Sequence, residues 1–135
     1  MAGWLLYSVA DIPGIIENAH LNRGLGFSFL RHIERCHSLL YVIDLTASDP
    51  THQLTVLKRE LELYEEGLSR RPHVVIGNKI DIAGSEQSAD KLCRFVGNSA
   101  DVLTISAKHR TNVNTVSRII REMYDSFMKK TSHAV

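Results

Sequence analysis

Charge of one sign is what this sequence of 135 residues lacks most plainly: sixteen Lys and Arg stand against fifteen Asp and Glu, a formal net of +1. That balance excludes a globally basic nucleic-acid clamp and an acidic tail protein, so DNA is not an expected partner; local patches remain open. Cysteine is scarce. Cys36 and Cys93 are too few for a disulfide framework, and they read as free, buried, inert thiols of a reducing compartment. The longest apolar run, Leu39–Ile43, falls far short of the ~20 residues that span a bilayer. Met1–Ala10 carries no basic stretch, so it offers no secretory or mitochondrial address. Seven histidines form no HxxxH and the cysteines no CxxC, which argues against a structural metal site. There is no internal repeat, low-complexity tract or linker. These absences point to one soluble, compact, intracellular α/β domain.

What is present alternates between strand and helix. Trp4–Ala10 and Ser38–Asp44 are short apolar runs suited to buried strands, and Pro72–Gly77 and Asp101–Ile105 continue the series. Between them lie helical patterns. One covers about Phe27–Arg35. A second begins at Asp49-Pro50, where Ser48 or Asp49 can cap and Pro suits the first helical position. Its stripe is Leu54, Leu57, Leu61 and Tyr64, with Glu60 and its charged neighbours on the wet side and Gly67 as the stop. A third helix is expected at Ala89–Val96 after a polar loop at Ala83–Ser88. The last runs from Asn112 to Lys129, its Met, Tyr and Phe residues packing as core and its lysines complementing the helix dipole. Uninterrupted alternation predicts a mainly parallel sheet with helices on both faces. In such sheets ligands bind beyond the carboxyl ends of the strands.

Three of the four predicted strands end in short polar motifs. Asp11-Ile12-Pro13-Gly14 offers a carboxylate that can hold hydrated magnesium through water and a glycine N–H that can approach a phosphate oxygen. A simple Pro-Gly turn accounts for the same tetrapeptide. Asn78-Lys79-Ile80-Asp81 is more telling. Asp81 is an acceptor-only carboxylate able to take the two adjacent N–H donors on the edge of guanine, an edge that adenine lacks. Asn78 can fix the loop, and the aliphatic stem of Lys79 can lie over the ring. Ser106-Ala107-Lys108 would close the other side, with a backbone N–H reading a base carbonyl and Lys108 stacking over the plane.

This constellation resembles the G domain of translation-factor-type GTPases, and the run DIPGIIENAHLNRGLGFSFLRHIERC resembles the signature of the Obg family around its second switch. ELYEEGLSRRPHVVIGNKID is similar to the mitochondrial, ribosome-associated branch. The resemblance covers about Ser8 to Met128. It implies a P-loop GTPase (Ras-like) fold and GTP and GDP as ligands. Asn78, Lys79, Asp81, Ser106, Ala107 and Lys108 would form the guanine pocket. Asp11 would hold magnesium through water, and Gly14 would donate to the terminal phosphate. It implies a role in large ribosomal subunit assembly, with that subunit or its rRNA as partner, and a mitochondrial location, with the cytoplasm as alternative. Arg23, Arg31, His32, Arg35 and His37 would be either an RNA contact or a solvated helix face.

Two departures qualify the resemblance. Ile15 stands where Ras-like enzymes carry a glutamine that orients the attacking water, so hydrolysis would be slow and would depend on a potassium ion or the ribosome. No GxxxxGK[ST] phosphate loop occurs, although backbone N–H groups, Lys and Ser/Thr of that loop hold phosphate and magnesium. The sequence is therefore expected to be a partial G domain over residues 1–130, with a frayed tail at 131–135. It would lack the first strand, phosphate loop and first switch. The alternative for such a chain is a catalytically defective module that docks on a ribosomal particle or holds nucleotide weakly.

Overall fold

The computed structural model describes residues 7–11 and 33–134. Its centre is a three-stranded parallel sheet in the order β1-β2-β3, with β1 at Leu39–Asp44, β2 at His73–Asn78 and β3 at Asp101–Thr104. The register sets Leu39 opposite His73 and Asp44 opposite Asn78 on one side, and Val74 opposite Asp101 on the other. Helices α1 (Pro50–Tyr64), α2 (Ser85–Val96) and α3 (Val113–Ser132) are the crossovers and the closing element.

Alternation along the strands decides which helix covers which face. Leu39, Tyr41 and Ile43 of β1 join Val75, Leu54 and Leu61 of α1, and Ala89, Leu92 and Val96 of α2 in one buried cluster. Val74, Ile76 and Ile105 face the other way and meet Val116, Ile119 and Met123 of α3. Helices thus cover both faces, as alternation predicts. The α3 side is the thinner layer: no residue of α3 is fully buried, and Ile120, Tyr124 and Phe127 line a cavity of about 870 Å³ beside β1.

Several boundaries differ from the sequence expectation for local reasons. Trp4–Leu6 and the helix over Phe27–His32 lie outside the described residues. Tyr7–Ala10 are not a strand: they line the cavity opposite Ser38–Val42, with the Tyr7 ring 5.8 Å from that of Tyr124, and a ladder cannot close across that gap. Asp49 caps α1, its Oδ1 accepting from the N–H groups of Thr51 and His52 at 3.1 Å each. The helix ends at Tyr64, before Gly67. That glycine, at φ +86°, opens a single 3-10 turn over Leu68–Arg70, and Glu62 accepts its N–H at 2.8 Å. Glu60 is 2% exposed, not on the wet side, because it stands three residues after Leu57 and one before Leu61, nearly a full turn along the buried stripe.

Helix α2 begins four residues early. The Ser85 hydroxyl donates to the carbonyls of Ile80 and Ile82, so a polar stretch that reads as loop is held in place. Cys93 of α2 is exposed and Cys36 half-buried, because Cys93 sits beside Leu92 but a third of a turn round the helix; neither is the buried thiol expected. At the C-terminus α3 reaches Ser132, into the tail expected to fray. There Thr131, Ser132 and His133 each hydrogen-bond back to the carbonyl four residues earlier, at 2.7 Å.

Among the described residues, the outer edge of β1 is met at Asp44. Leu39 and Leu45 donate their N–H groups to Pro72 and Asn78 of the β2 side, so by the parity of a strand Leu40, Val42 and Asp44 direct theirs away. At Asp44 the Gln53 carboxamide of α1 takes both groups: Oε1 accepts the N–H at 3.0 Å, and Nε2 donates to the carbonyl at 3.4 Å. Among the described residues no helix is long and apolar enough to cross a membrane.

Candidate functional site

The carboxyl ends of all three strands converge on a polar cluster. After Gly77 the chain leaves β2 through Asn78 and turns at Lys79, whose φ of +71° is rare for a residue with a side chain. Asn78 stabilises that turn, its Oδ1 accepting the Lys79 N–H at 2.8 Å. The same oxygen accepts the N–H of Ala107 at 3.1 Å. One side chain therefore pins the loop after β2 to the loop after β3.

Backbone bonds carry the pairing of these strands past their formal ends. Ile105 donates to Gly77 at 2.8 Å and Ile80 to Ile105 at 3.0 Å. Beyond them Ser106 and Thr111 form an isolated antiparallel bridge, which closes Ala107–Arg110 into a tight loop. Asn112 ties its far end down through Nδ2 to the Thr104 carbonyl at 2.9 Å. Ser106 is fully buried beneath this loop. Its Oγ accepts the His109 N–H at 3.2 Å.

Asp81 points toward this second loop. Its carboxyl is held below the usual carboxylate range first by a hydrogen bond from the Ser106 hydroxyl, then by a backbone N–H and by the neighbouring His109 and Lys108 side chains. His109 Nε2 lies 3.6 Å from Asp81 Oδ2. An ionised carboxylate steadied by one hydroxyl keeps lone pairs free for two further donors. Lys108 is exposed beside it. Lys79 leans the opposite way, toward β1, with Nζ 2.7 Å from Asp44 Oδ2. Asp44 also accepts from the backbone N–H and hydroxyl of Thr46, at 2.8 and 2.6 Å. Those bonds, the one to Lys79 foremost, draw its pKa down to about 2.

Six residues singled out from the sequence, Asn78, Lys79, Asp81, Ser106, Ala107 and Lys108, thus form one cluster. Asp11 does not join it: it is exposed and lines the cavity beside β1, and no hydrogen bond or ion pair among the described residues links it to the loops. Ile12, Pro13, Gly14 and Ile15 lie outside the described residues, as do Arg23, Arg31 and His32 of the basic group. Three participants escaped the sequence: Asp44, His109 and Gln53. Asp44 could have been found, because two adjacent parallel strands that both end in polar residues place those ends side by side. His109 carried no such signal.

Known proteins resemble the chain over almost its whole length. Residues 5–79 match the family described as 50S ribosome-binding GTPase. Mitochondrial ribosome-associated GTPase 2 of Homo sapiens is 46% identical over 125 residues, 93% of this chain and 30% of the relative. GTPase Obg of Mycoplasmopsis synoviae is 37% identical over 129 residues, covering 94% and 29%. The probable GTP-binding protein OBGM, mitochondrial, of Oryza sativa is 50% identical over 95 residues, covering 65% and 18%. The chain spans less than a third of the length of each of these relatives. A parallel α/β sheet with helices on both faces, strand ends carrying NKID and SAK, and a match over more than half the sequence agree: the chain belongs to the 50S ribosome-binding GTPase family, with Obg proteins and their mitochondrial counterparts among its relatives.

Proposed function

We propose that the cluster at the ends of β2 and β3 is the base-binding half of a guanine-nucleotide site. The observation that carries this reading is the bond from Ala107 N to Asn78 Oδ1, which sets the two loops at one spacing with the ionised Asp81 between them. Guanine would give its ring N–H and exocyclic amine to Asp81, and its carbonyl would face the loop at Ala107. Magnesium, when bound with the phosphates, supplies charge neutralisation for phosphoryl transfer. Asp11, an exposed hard oxygen donor, fits a hydrated ion of that kind. The names of the relatives support a ribosomal setting and, for two of them, the mitochondrion as its place; large-subunit assembly is the specific form of that role in our reading.

A second reading concerns this polypeptide alone. Its 135 residues contain no GxxxxGK[ST], and positioning with charge neutralisation is nearly all that a GTPase supplies. The chain would then hold guanine nucleotide weakly, or dock on a ribosomal particle, without turnover.

Titration of labelled GTP, GDP and ATP against the chain in magnesium, followed by phosphate release, separates the two. Preference for guanine without turnover supports the second; tight GTP binding with turnover supports the first. Equal affinity for ATP sinks both as base readers. Asp81→Asn turns one acceptor into a donor, so preference moves from guanine toward xanthine, and unchanged selectivity removes Asp81 from the site.

A further inference from the structure

We propose that Asp44 is the positioning residue for Lys79 in the guanine pocket: by holding the ammonium at the end of β1, it fixes the lysine stem as a flat apolar wall for one face of the base. This rests on the base-site reading above and adds to it a residue that no part of the NKID or SAK pattern contains. The sheet register brings Asp44 directly opposite Asn78. Both backbone groups of Asp44 are held by the Gln53 carboxamide, and its neighbour Leu45 donates to the carbonyl of Asn78 at the end of β2. Its carboxylate has no rotational freedom left over. Oδ1 takes the two donors of Thr46, which leaves Oδ2 aimed at Lys79 Nζ at 2.7 Å.

At the other end of the lysine, the backbone is fixed as well. Lys79 sits in the left-handed region with its N–H on Asn78, so both the root and the tip of the side chain are tethered. Between them run four methylene groups. They cross from the end of β2 toward β1, whereas Asp81 extends toward the loop after β3. The two side chains diverge from one turn and leave a wedge between a flat hydrocarbon strip and an acceptor edge. A base whose edge meets Asp81 lays its face along that strip.

A free lysine would have to be ordered by the incoming base. Immobilising a lysine side chain costs rotamer entropy, and an exposed ion pair recovers only part of that cost. The pair therefore adds little to folding, yet it removes an ordering step from binding.

The test compares the affinity of the full chain for GDP and for inosine diphosphate, which lacks the exocyclic amine. Wild type, Asp44→Asn, Asp44→Glu, Lys79→Ala, the double variant Asp44→Asn/Lys79→Ala and Asp81→Asn are titrated alike, with melting curves to show that each is folded. Loss of the wall touches stacking only. Asp44→Asn is expected to weaken both nucleotides by the same factor, about three- to tenfold, leaving their ratio unchanged. In the Lys79→Ala background it should have no further effect, and Asp44→Glu, which keeps the charge, should recover most of the loss. Asp81→Asn, in contrast, must change the ratio. If Asp44→Asn binds both nucleotides as wild type does, or loses as much without Lys79, the inference is overturned while the base site stands. If Asp81→Asn leaves the ratio alone, or the chain binds neither nucleotide, the base-site reading fails and takes this one with it. Should Asp44→Asn not fold, Lys79→Gln breaks the same pair from its other end and carries the same expectation.

Discussion

Asn78 accepts the N–H of Ala107 from across the sheet end and the N–H of its own neighbour Lys79, at 3.1 and 2.8 Å, through a single oxygen. The Ser106 hydroxyl bonded to Asp81 is a second side-chain link between these two loops. Their relative position therefore rests on one carboxamide and one hydroxyl, beside the backbone bond from Ile80 to Ile105.

Asn78→Ala should separate the loops at the cost of two hydrogen bonds, about 1–2 kcal/mol in all. The melting temperature would fall by roughly 3–7 °C for a domain of this size. Asn78→Asp keeps the accepting oxygen and should lose much less. Melting curves of the two variants make the comparison, and an equal loss in both would show that the acceptor is not what matters.

Gly77 is required for space rather than for backbone freedom. A Cβ at this position would stand 2.9 Å from Leu45 Cδ2 and 3.0 Å from Cδ1, against a side chain that is itself 1% exposed. Gly77→Ala is expected to cost about 1–3 kcal/mol, the range for overpacking a closed core. Shortening the obstruction with Leu45→Val in the same chain should return part of that loss. Denaturant titration of both chains gives the answer, and additive losses would rule out the clash.

The Asp44 carboxyl provides a pH signature. Its pKa in the fold, about 2, lies below that of a free carboxyl, which is roughly 4. A depressed pKa adds stability that is complete above the unfolded value and lost as pH falls toward the folded one. The difference in melting temperature between wild type and Asp44→Asn should thus be constant above about pH 5 and shrink between about pH 4 and pH 2. The pair is half open to solvent, with side chains 49% and 38% exposed, so salt should diminish the difference. A gap that persists unchanged to pH 2 would assign the stabilisation to something other than charge.

Much of the fold was legible because its strands stand out as continuous apolar runs, although β1 buries only Leu39, Tyr41 and Ile43 and leaves Val42 exposed, not the burial on both faces that its continuity suggested. Leu39–Asp44 and His73–Asn78 lie within one residue of their expected starts, and α1 begins where its Asp-Pro signal places it. What escaped depended on side chains reaching out of local sequence. Ser85 turns a polar stretch into helix by donating to carbonyls behind it, and the end of α3 is extended by hydroxyls and an imidazole. Periodicity carries no trace of such bonds. The site divides along the same line. NKID and SAK are short contiguous motifs and could be read directly. Asp44 lies 35 residues from its partner Lys79 in sequence, and only the pairing of β1 with β2 brings them together. Tyr7–Ala10 failed for a different reason: apolar residues make a strand only where another strand lies within bonding distance.

The Gln53 carboxamide has the same donor and acceptor as a peptide group, and at the end of β1 it occupies the place where a neighbouring chain would put one. It works as a stopper one residue wide. Among the described residues no hydrogen bond closes the outward-facing groups of Leu40 and Val42, whereas a strand aligning with this edge meets an occupied position at Asp44. Pairing there is limited in length and fixed in its end point unless helix α1 gives up the contact. An edge so shortened is a poor template for open-ended growth, and the limit is set not by the strand itself but by a glutamine of the helix that follows it.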